Sequence, residues 1–189
     1  LAWADISTGE MRVMPCPRVK LAPELSRLGA RELIVPDDLA KDLRPLADEM
    51  GVALAERGRA AFDSVSGQKR LCALFGVSSL DGFGSFERAE LSALGALGDY
   101  LDMTLLRSPV RERSGEAMQI DVATRRNLEL TQALAGGREG SLLAAIDRTI
   151  TAGGARLLER RIASPSCDLA VIEERHAAVA MLAQSDGLR

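Results

Sequence analysis

Along the first hundred residues, short apolar runs alternate with stripes at helical spacing. Residues 1–6 read as a strand and Arg12-Val13-Met14 as its partner, with Ser7-Thr8-Gly9-Glu10 as the turn. Leu21, Leu25 and Leu28 then share one helical face, and Gly29 stops that helix. Leu33-Ile34-Val35 is a continuous apolar run, typical of a strand covered on both faces. Pro36 and Asp37 close it and open a helix whose stripe is Leu39, Leu43, Leu46 and Met50, ended by Gly51. Residues 52–54 form a further short strand. Asp63 or Ser64 caps a helix to about Phe75, with Gly76 after it. Gly82-Phe83-Gly84 is a tight loop. The next helix carries Leu91, Leu94, Gly98, Leu101 and Leu105, and Gly95 and Gly98 leave a groove for close backbone approach. Hairpin, alternating helix and strand, then two helices: this order predicts an α/β layer domain over residues 1–106 with a mainly central sheet.

The pattern changes after that. Residues 107–117 hold Pro109, Gly115 and a dense mixture of charges, which predicts a linker. Residues 118–189 predict a mainly α-helical domain. Met118-Gln119-Ile120 is extended and Leu128/Leu130 alternate as a short strand. Ser141 caps a short helix to Asp147. Thr151 opens a longer one, with Leu157, Leu158, Arg161 and Ile162 on or beside one face, and Ser164-Pro165 ends it. Asp168 caps the last helix, Cys167 is placed to staple against Ile172, and Leu169, Ile172, His176, Val179 and Leu182 define its stripe, which a partial helical domain is expected to leave uncovered and prone to association. There is no internal repeat and no low-complexity segment.

Composition narrows the function classes. Aromatic residues make up 3% of the 189, so the cores are built from Leu, Ala, Val and Ile, a set that favours helices. Net charge is −3, which gives no global basic field for nucleic acid. Residues 1–106 carry 12 basic and 16 acidic side chains (−4), and residues 107–189 carry 12 and 11 (+1). Cys16, Cys72 and Cys167 are too far apart for a CxxC motif and read as reduced thiols of a cytoplasmic protein. One histidine excludes a His-based zinc site within this chain. No signal peptide or membrane-length apolar run is present. The chain begins at Leu1 and not at Met, which points to a piece of a longer protein.

The residues offer four candidate chemistries. Asp5 lies on the first strand, where a ribonuclease-H-like nuclease places one of its metal-binding carboxylates. Its partners are missing, because Asp37, Asp38 and Asp63 are better used as helix caps, and Asp5 itself suits the hairpin turn. Gly82-Phe83-Gly84-Ser85 lacks the Gly-Lys-Ser/Thr of a phosphate loop, and no GxxxxGK[ST] occurs anywhere. Cys72 or Cys167 with His176 could be a nucleophile and base, but their neighbours favour packing. The most basic cluster is Arg125-Arg126 with Arg156, Arg160 and Arg161, suited to phosphate or carboxylate. Interleaved acids favour ion pairs to Glu129, Asp147 and Glu159 over a DNA backbone.

One ordered set of blocks carries more information than any of these. It comprises Ile120-Asp121-Val122-Ala123-Thr124-Arg125-Arg126-Asn127-Leu128-Glu129-Leu130, Gly136-Gly137, Ser141-Leu142-Leu143, residues 146–151 (Ile-Asp-Arg-Thr-Ile-Thr), Gly154-Ala155-Arg156-Leu157-Leu158 and Glu173-Glu174-Arg175. The set resembles the start of the core (lever) domain of the MutS family of DNA mismatch-repair proteins. Ala4-Asp5-Ile6-Ser7-Thr8-Gly9 and the stretch from Phe75-Gly76 to Gly84 resemble the connector domain that precedes it. The resemblance implies a connector of ribonuclease-H-like fold without the nuclease carboxylates, then part of a helical core. It also implies a parent protein that binds mismatched double-stranded DNA, ATP and magnesium, works with a second subunit and recruits a MutL-like protein. In that family the mismatch-reading and ATPase residues lie in other domains. No catalytic, cofactor or metal residue is therefore expected here, and Arg125, Arg126, Arg156 and Arg160 are the candidates for backbone or interdomain contact. Two departures stand out: Arg161 where the family usually has Trp, and Pro165-Ser166 where Pro-Leu is usual. The linker is also shorter than the resemblance implies, which points to a stretch missing near Leu106-Arg107. Two other readings stay open: a ribonuclease-H-like nuclease-type domain with a helical appendage, and a plain helical interaction domain.

Overall fold

A computed structural model describes residues 1–101, 109–112 and 115–185; Leu105, the Leu106-Arg107 junction and part of the 107–117 stretch lie outside the described residues. The strands are β1 (Ala2–Asp5), β2 (Glu10–Val13), β3 (Glu32–Pro36), β4 (Ala53–Arg57) and β5 (Val110–Arg111). The helices are α1 (Leu21–Leu28), α2 (Asp37–Met50), α3 (Ser64–Phe75), α4 (Arg88–Leu101), α5 (Val122–Asn127), α6 (Leu142–Ile146), α7 (Ala152–Ala163) and α8 (Leu169–Gln184). The chain forms two compact units, one from Leu1–Leu21 and Ala30–Ser114, the other from Ala22–Gly29 and Gly115–Arg189.

In the first unit, β1 and β2 pair antiparallel, with Asp5 opposite Glu10. Strand periodicity puts Met11 and Val13 of β2 in the core, fully buried. It leaves Glu10 and Arg12 on the other face, paired at 2.8 Å. Leu71, Leu80 and Leu94 complete that core, and Phe75 and Phe83 pack against it edge to face at 5.8 Å. β5 pairs parallel with β2, whereas β3 and β4 pair parallel with each other. The expected central sheet is thus two hydrogen-bonded groups among the described residues. Helix α4 links them. Near its start, buried Glu90 accepts from Arg111 of β5 at 2.8 Å. Near its end, the Tyr100 hydroxyl donates to Glu32 of β3 at 2.6 Å, under the Arg57 guanidinium of β4.

Helix ends fall where the sequence places them. Asp63 accepts from the Ser66 N–H at 2.7 Å to start α3, and Gly51 and Gly76, both at φ 65°, stop α2 and α3. A Cβ on Gly95 would lie 2.3 Å from the Gly67 Cα, so α3 and α4 meet backbone to backbone there. Gly98 has no such constraint, since a Cβ there would sit 3.7 Å from Leu71 and Leu74. The stripe of α2 differs from expectation. Ala40 and Ala47 are its buried residues, Leu43, Leu46 and Met50 are half-buried, and Leu39 is exposed. Small alanines let the helix lie close to β3 and β4, which a reading weighted toward Leu overlooks.

In the second unit, residues 116–118 run beside 165–167: Met118 N–H donates to Pro165 at 2.8 Å and Cys167 N–H to Glu116 at 2.9 Å. Asp121 caps α5 by accepting from Thr124 N–H at 2.9 Å. Met118-Gln119-Ile120 precede that helix outside any helix, with Met118 paired to Pro165, whereas Leu128 and Leu130, expected as a short strand, lie in the turns that follow it. Ser141 caps α6, Thr151 α7 and Asp168 α8, as the sequence predicts. Leu143 is buried, and Leu158 and Ile162 are half-buried on α7, while Leu157 and Arg161 are exposed. On α8 the stripe is uncovered, as the sequence reading expects. Ile172 is half-buried, but Leu169, His176, Val179 and Leu182 are exposed. Apolar residues are spread around α8, and most of them are covered by nothing among the described residues.

Candidate functional site

The second unit contains a buried charge cluster that joins α1 to residues 118–125 and 163–164. Glu24 is 2% exposed and Arg27 8%, and the Arg27 Nε donates to Glu24 at 2.6 Å. The other Glu24 oxygen accepts from Gln119 Nε2 at 3.2 Å, and Arg27 Nη1 donates to Ser164 Oγ at 3.1 Å. Arg125, 7% exposed, lines the same narrow gap as Glu24, Arg27 and Gln119, and its Nη1 donates to the Ala163 carbonyl at 2.6 Å. Its Nε and Nη2 are buried without a hydrogen-bond partner. Burial, and then the neighbouring Arg27 charge, hold the Arg125 guanidinium below its ordinary value against the pull of Glu24. Glu24 supplies a buried carboxylate beside the two guanidinium groups and so helps to make their burial tolerable.

The other candidate arginines stand apart from this cluster. Arg126, Arg156 and Arg160 are exposed, as is Arg161. Of the six-residue α5, Arg125 turns inward and Arg126 outward, so adjacent residues of one basic pair have opposite surroundings. The expected ion pairs to Asp147 and Glu129 are replaced. Asp147 pairs with Arg138, and Glu129 accepts from the Leu134 N–H at 2.6 Å while sitting at φ 46°. Nothing in the sequence sets Glu24 and Arg27 apart. An i, i+3 Glu/Arg pair on a short helix reads as solvated surface, and only partners about a hundred residues away bury it.

Two features of the first unit bear on the other candidates. Asp5 accepts from both the N–H and the hydroxyl of Ser7, at 2.9 and 2.6 Å, so it is the turn residue the sequence suggested. No group of three or more His, Cys, Asp or Glu side chains is arranged to hold a metal among the described residues, so the constellation needed by the nuclease reading does not form there. An open cleft lies between the starts of α3 and α4, lined by Arg59, Phe62, Asp63, Ser64, Arg88 and Ser92. Its charges are largely answered locally: Arg59 donates to Asp38 at 2.7 Å and Arg88 lies near Asp63. No helix among the described residues is long and apolar enough to cross a membrane.

Comparison with known proteins adds to this geometry. Residues 1–113 match the family model described as MutS domain II, and residues 123–189 match MutS domain III. Among similar curated proteins is a DNA mismatch repair protein MutS of Cereibacter sphaeroides, 61% identical over all of this chain and 22% of its own length. Another is that of Paracoccus denitrificans, 62% identical over 96% of this chain and 21% of its own length. The protein of the same name from Ruegeria pomeroyi is 58% identical over 95% of this chain. The chain spans about a fifth of the length of these relatives.

Proposed function

The chain belongs to the MutS family of DNA mismatch-repair proteins, and on that premise we propose that it relays conformational change within a longer mismatch-repair protein and docks a MutL-like partner. The first unit takes the part of the connector, with ribonuclease-H-like layers, and the second that of the beginning of the helical core. Binding of mismatched DNA, of ATP with magnesium and of a second subunit belongs in this reading to the parent protein, acting in the bacterial cytoplasm. The chain itself acts mechanically and not as an enzyme. Exposed Arg126, Arg156 and Arg160 serve as contacts to other domains or to a DNA backbone, whereas Arg125 holds internal structure.

One observation carries the mechanical reading. Helix α1 is flanked on both sides by chain of the first unit but is itself built into the second. The chain therefore passes between the units near residues 21, 29 and 114, and a displacement in either pulls on a short, doubly anchored segment. Coupling of this kind needs a real two-state element and not mere proximity.

The test is a titration of the whole chain against the ATPase domain of a MutL-like protein from one of the related bacteria. Saturable binding, weakened by substitutions on the first unit and not by Arg126→Ala or Arg156→Ala, is the expected result. Absence of binding would remove the docking role and leave the relay.

A further inference from the structure

The open cleft between the starts of α3 and α4 has a volume of about 480 Å³, within the roughly 300–1,000 Å³ of small-molecule sites. Helices of 12 and 14 residues begin at it, and the first N–H groups of each have no acceptor in their own helix. Residues of both first turns line the opening, so two helix dipoles bring their positive ends to one place. Ser64, in the first turn of α3, is 8% exposed and lines the cleft, yet its hydroxyl has no hydrogen-bond partner among the described residues. Arg88, in the first turn of α4, is exposed and makes no hydrogen bond or ion pair among the described residues. Other polar groups of the lining are engaged. Arg59 donates to Asp38 at 2.7 Å, and Ser92 Oγ donates to the Arg88 carbonyl at 2.9 Å. Asp63 accepts from the Ser66 N–H at 2.7 Å, and hydrogen bonds from Ser66, with smaller pulls from Arg70 and Arg88, hold its carboxyl below the ordinary value.

We propose that this cleft binds a phosphate group. The groups left over around it are donors: the Arg88 guanidinium, the Ser64 hydroxyl and the first N–H groups of α3 and α4. Donors gathered without acceptors suit an oxyanion and reject a cation. A planar guanidinium meets two phosphate oxygens at once, and the hydroxyl and N–H groups serve the others. Half-buried Phe62 lines the same cleft and gives an apolar wall for whatever the phosphate carries. Asp63 opposes the ligand's charge, which keeps the site weak and makes its removal informative. The proposal stands on the cleft alone and is independent of the relay and docking readings.

Inorganic phosphate titrated into the isotope-labelled whole chain, followed by amide resonances, tests this. Signals of Ser64, Val65, Arg88 and Ala89 should shift together and saturate with one dissociation constant. Arg88→Gln removes a side chain that bonds nothing in the fold, and should weaken binding roughly tenfold, the worth of a charge-assisted pair. Ser64→Ala should weaken it about threefold, as loss of a neutral hydrogen bond does. Asp63→Asn keeps a capping oxygen, removes the opposing charge and should tighten binding about threefold. Arg126→Gln, at an exposed arginine of the second unit, should change nothing. Shifts that never saturate would overturn the site. So would equal weakening by Arg88→Gln and Arg126→Gln, which would leave only general attraction to surface charge. Asp63→Asn that leaves affinity unchanged would also count against a ligand seated in the cleft. Adenosine monophosphate, titrated in the same way, identifies the source of the phosphate. Tighter binding than the free ion, with the gain lost in Phe62→Leu, assigns a nucleotide to the cleft; equal affinity assigns the free ion.

Discussion

Gly67 and Gly95 are adjacent members of two helices, and each is glycine because the other backbone occupies the place of its side chain. Gly95→Ala would force α3 and α4 apart at the centre of the first unit's core and should cost roughly 3 kcal/mol, in the range of overpacked cores. Gly98→Ala, one turn on, meets only ordinary contact and should be neutral or stabilising by up to about 1 kcal/mol through helix propensity. Denaturant midpoints of the two variants should therefore move in opposite directions or differ sharply; equal shifts would contradict the close approach. Asp5 offers a test with acid. Burial pushes its carboxyl up, but hydrogen bonds from the Ser7 hydroxyl and N–H and from Thr8 outweigh this and bring it below its ordinary 3.8. A depressed folded value means that its extra stability is complete above about pH 4 and is lost as pH falls through the folded value. Asp5→Asn keeps an acceptor oxygen without the titration. The gap in melting temperature between wild type and Asp5→Asn should narrow below about pH 4, and a gap independent of pH would refute the carboxylate's role.

Elements were legible where a local group fixes them. Ser141, Thr151 and Asp168 are legible as caps, and Asp63 with Ser64 as its alternative, because a short polar side chain before an apolar run has few other uses. Ser141 is the most buried of these at 1% exposed, and its hydroxyl also donates to the Arg138 carbonyl at 2.6 Å. Ser141→Ala should cost about 1–2 kcal/mol and loosen α6, seen as faster amide exchange at Ala144 and Ala145 with α3 unaffected. The close helix pair was half legible: Gly95 was marked for backbone approach, but its partner Gly67 gave no periodic signal. Other elements escaped because distant residues decide them. Val110 and Arg111 lie in a charged stretch with no strand pattern, and become β5 because β2 has a free edge and Glu90 a free oxygen for Arg111. The face of α2 turned on the size of Ala40 and Ala47 and not on the count of leucines. The burial of Arg125 beside an exposed Arg126 depends on Glu24, which no local spacing could connect to it.

At the scale of the whole molecule, α8 exposes large apolar side chains on more than one side. Leu169, Val179, Met181 and Leu182 are 67%, 59%, 57% and 47% exposed on one 16-residue helix. Apolar surface concentrated in this way favours association. Sedimentation of this chain should show an average mass that rises with concentration, and Val179→Glu with Leu182→Glu should return it to monomer; a concentration-independent monomer would contradict this. The insertion of α1 has a different consequence, in the order of synthesis. Glu24 lies 95 residues before Gln119, and Arg27 lies 137 before Ser164. At roughly 5–20 residues per second, a ribosome delivers Gln119 about 5–20 s after Glu24. During that interval the neighbouring first unit can assemble around a segment that has nothing to bind, so the nascent chain carries α1 as an unfilled loop until the second unit arrives to claim it.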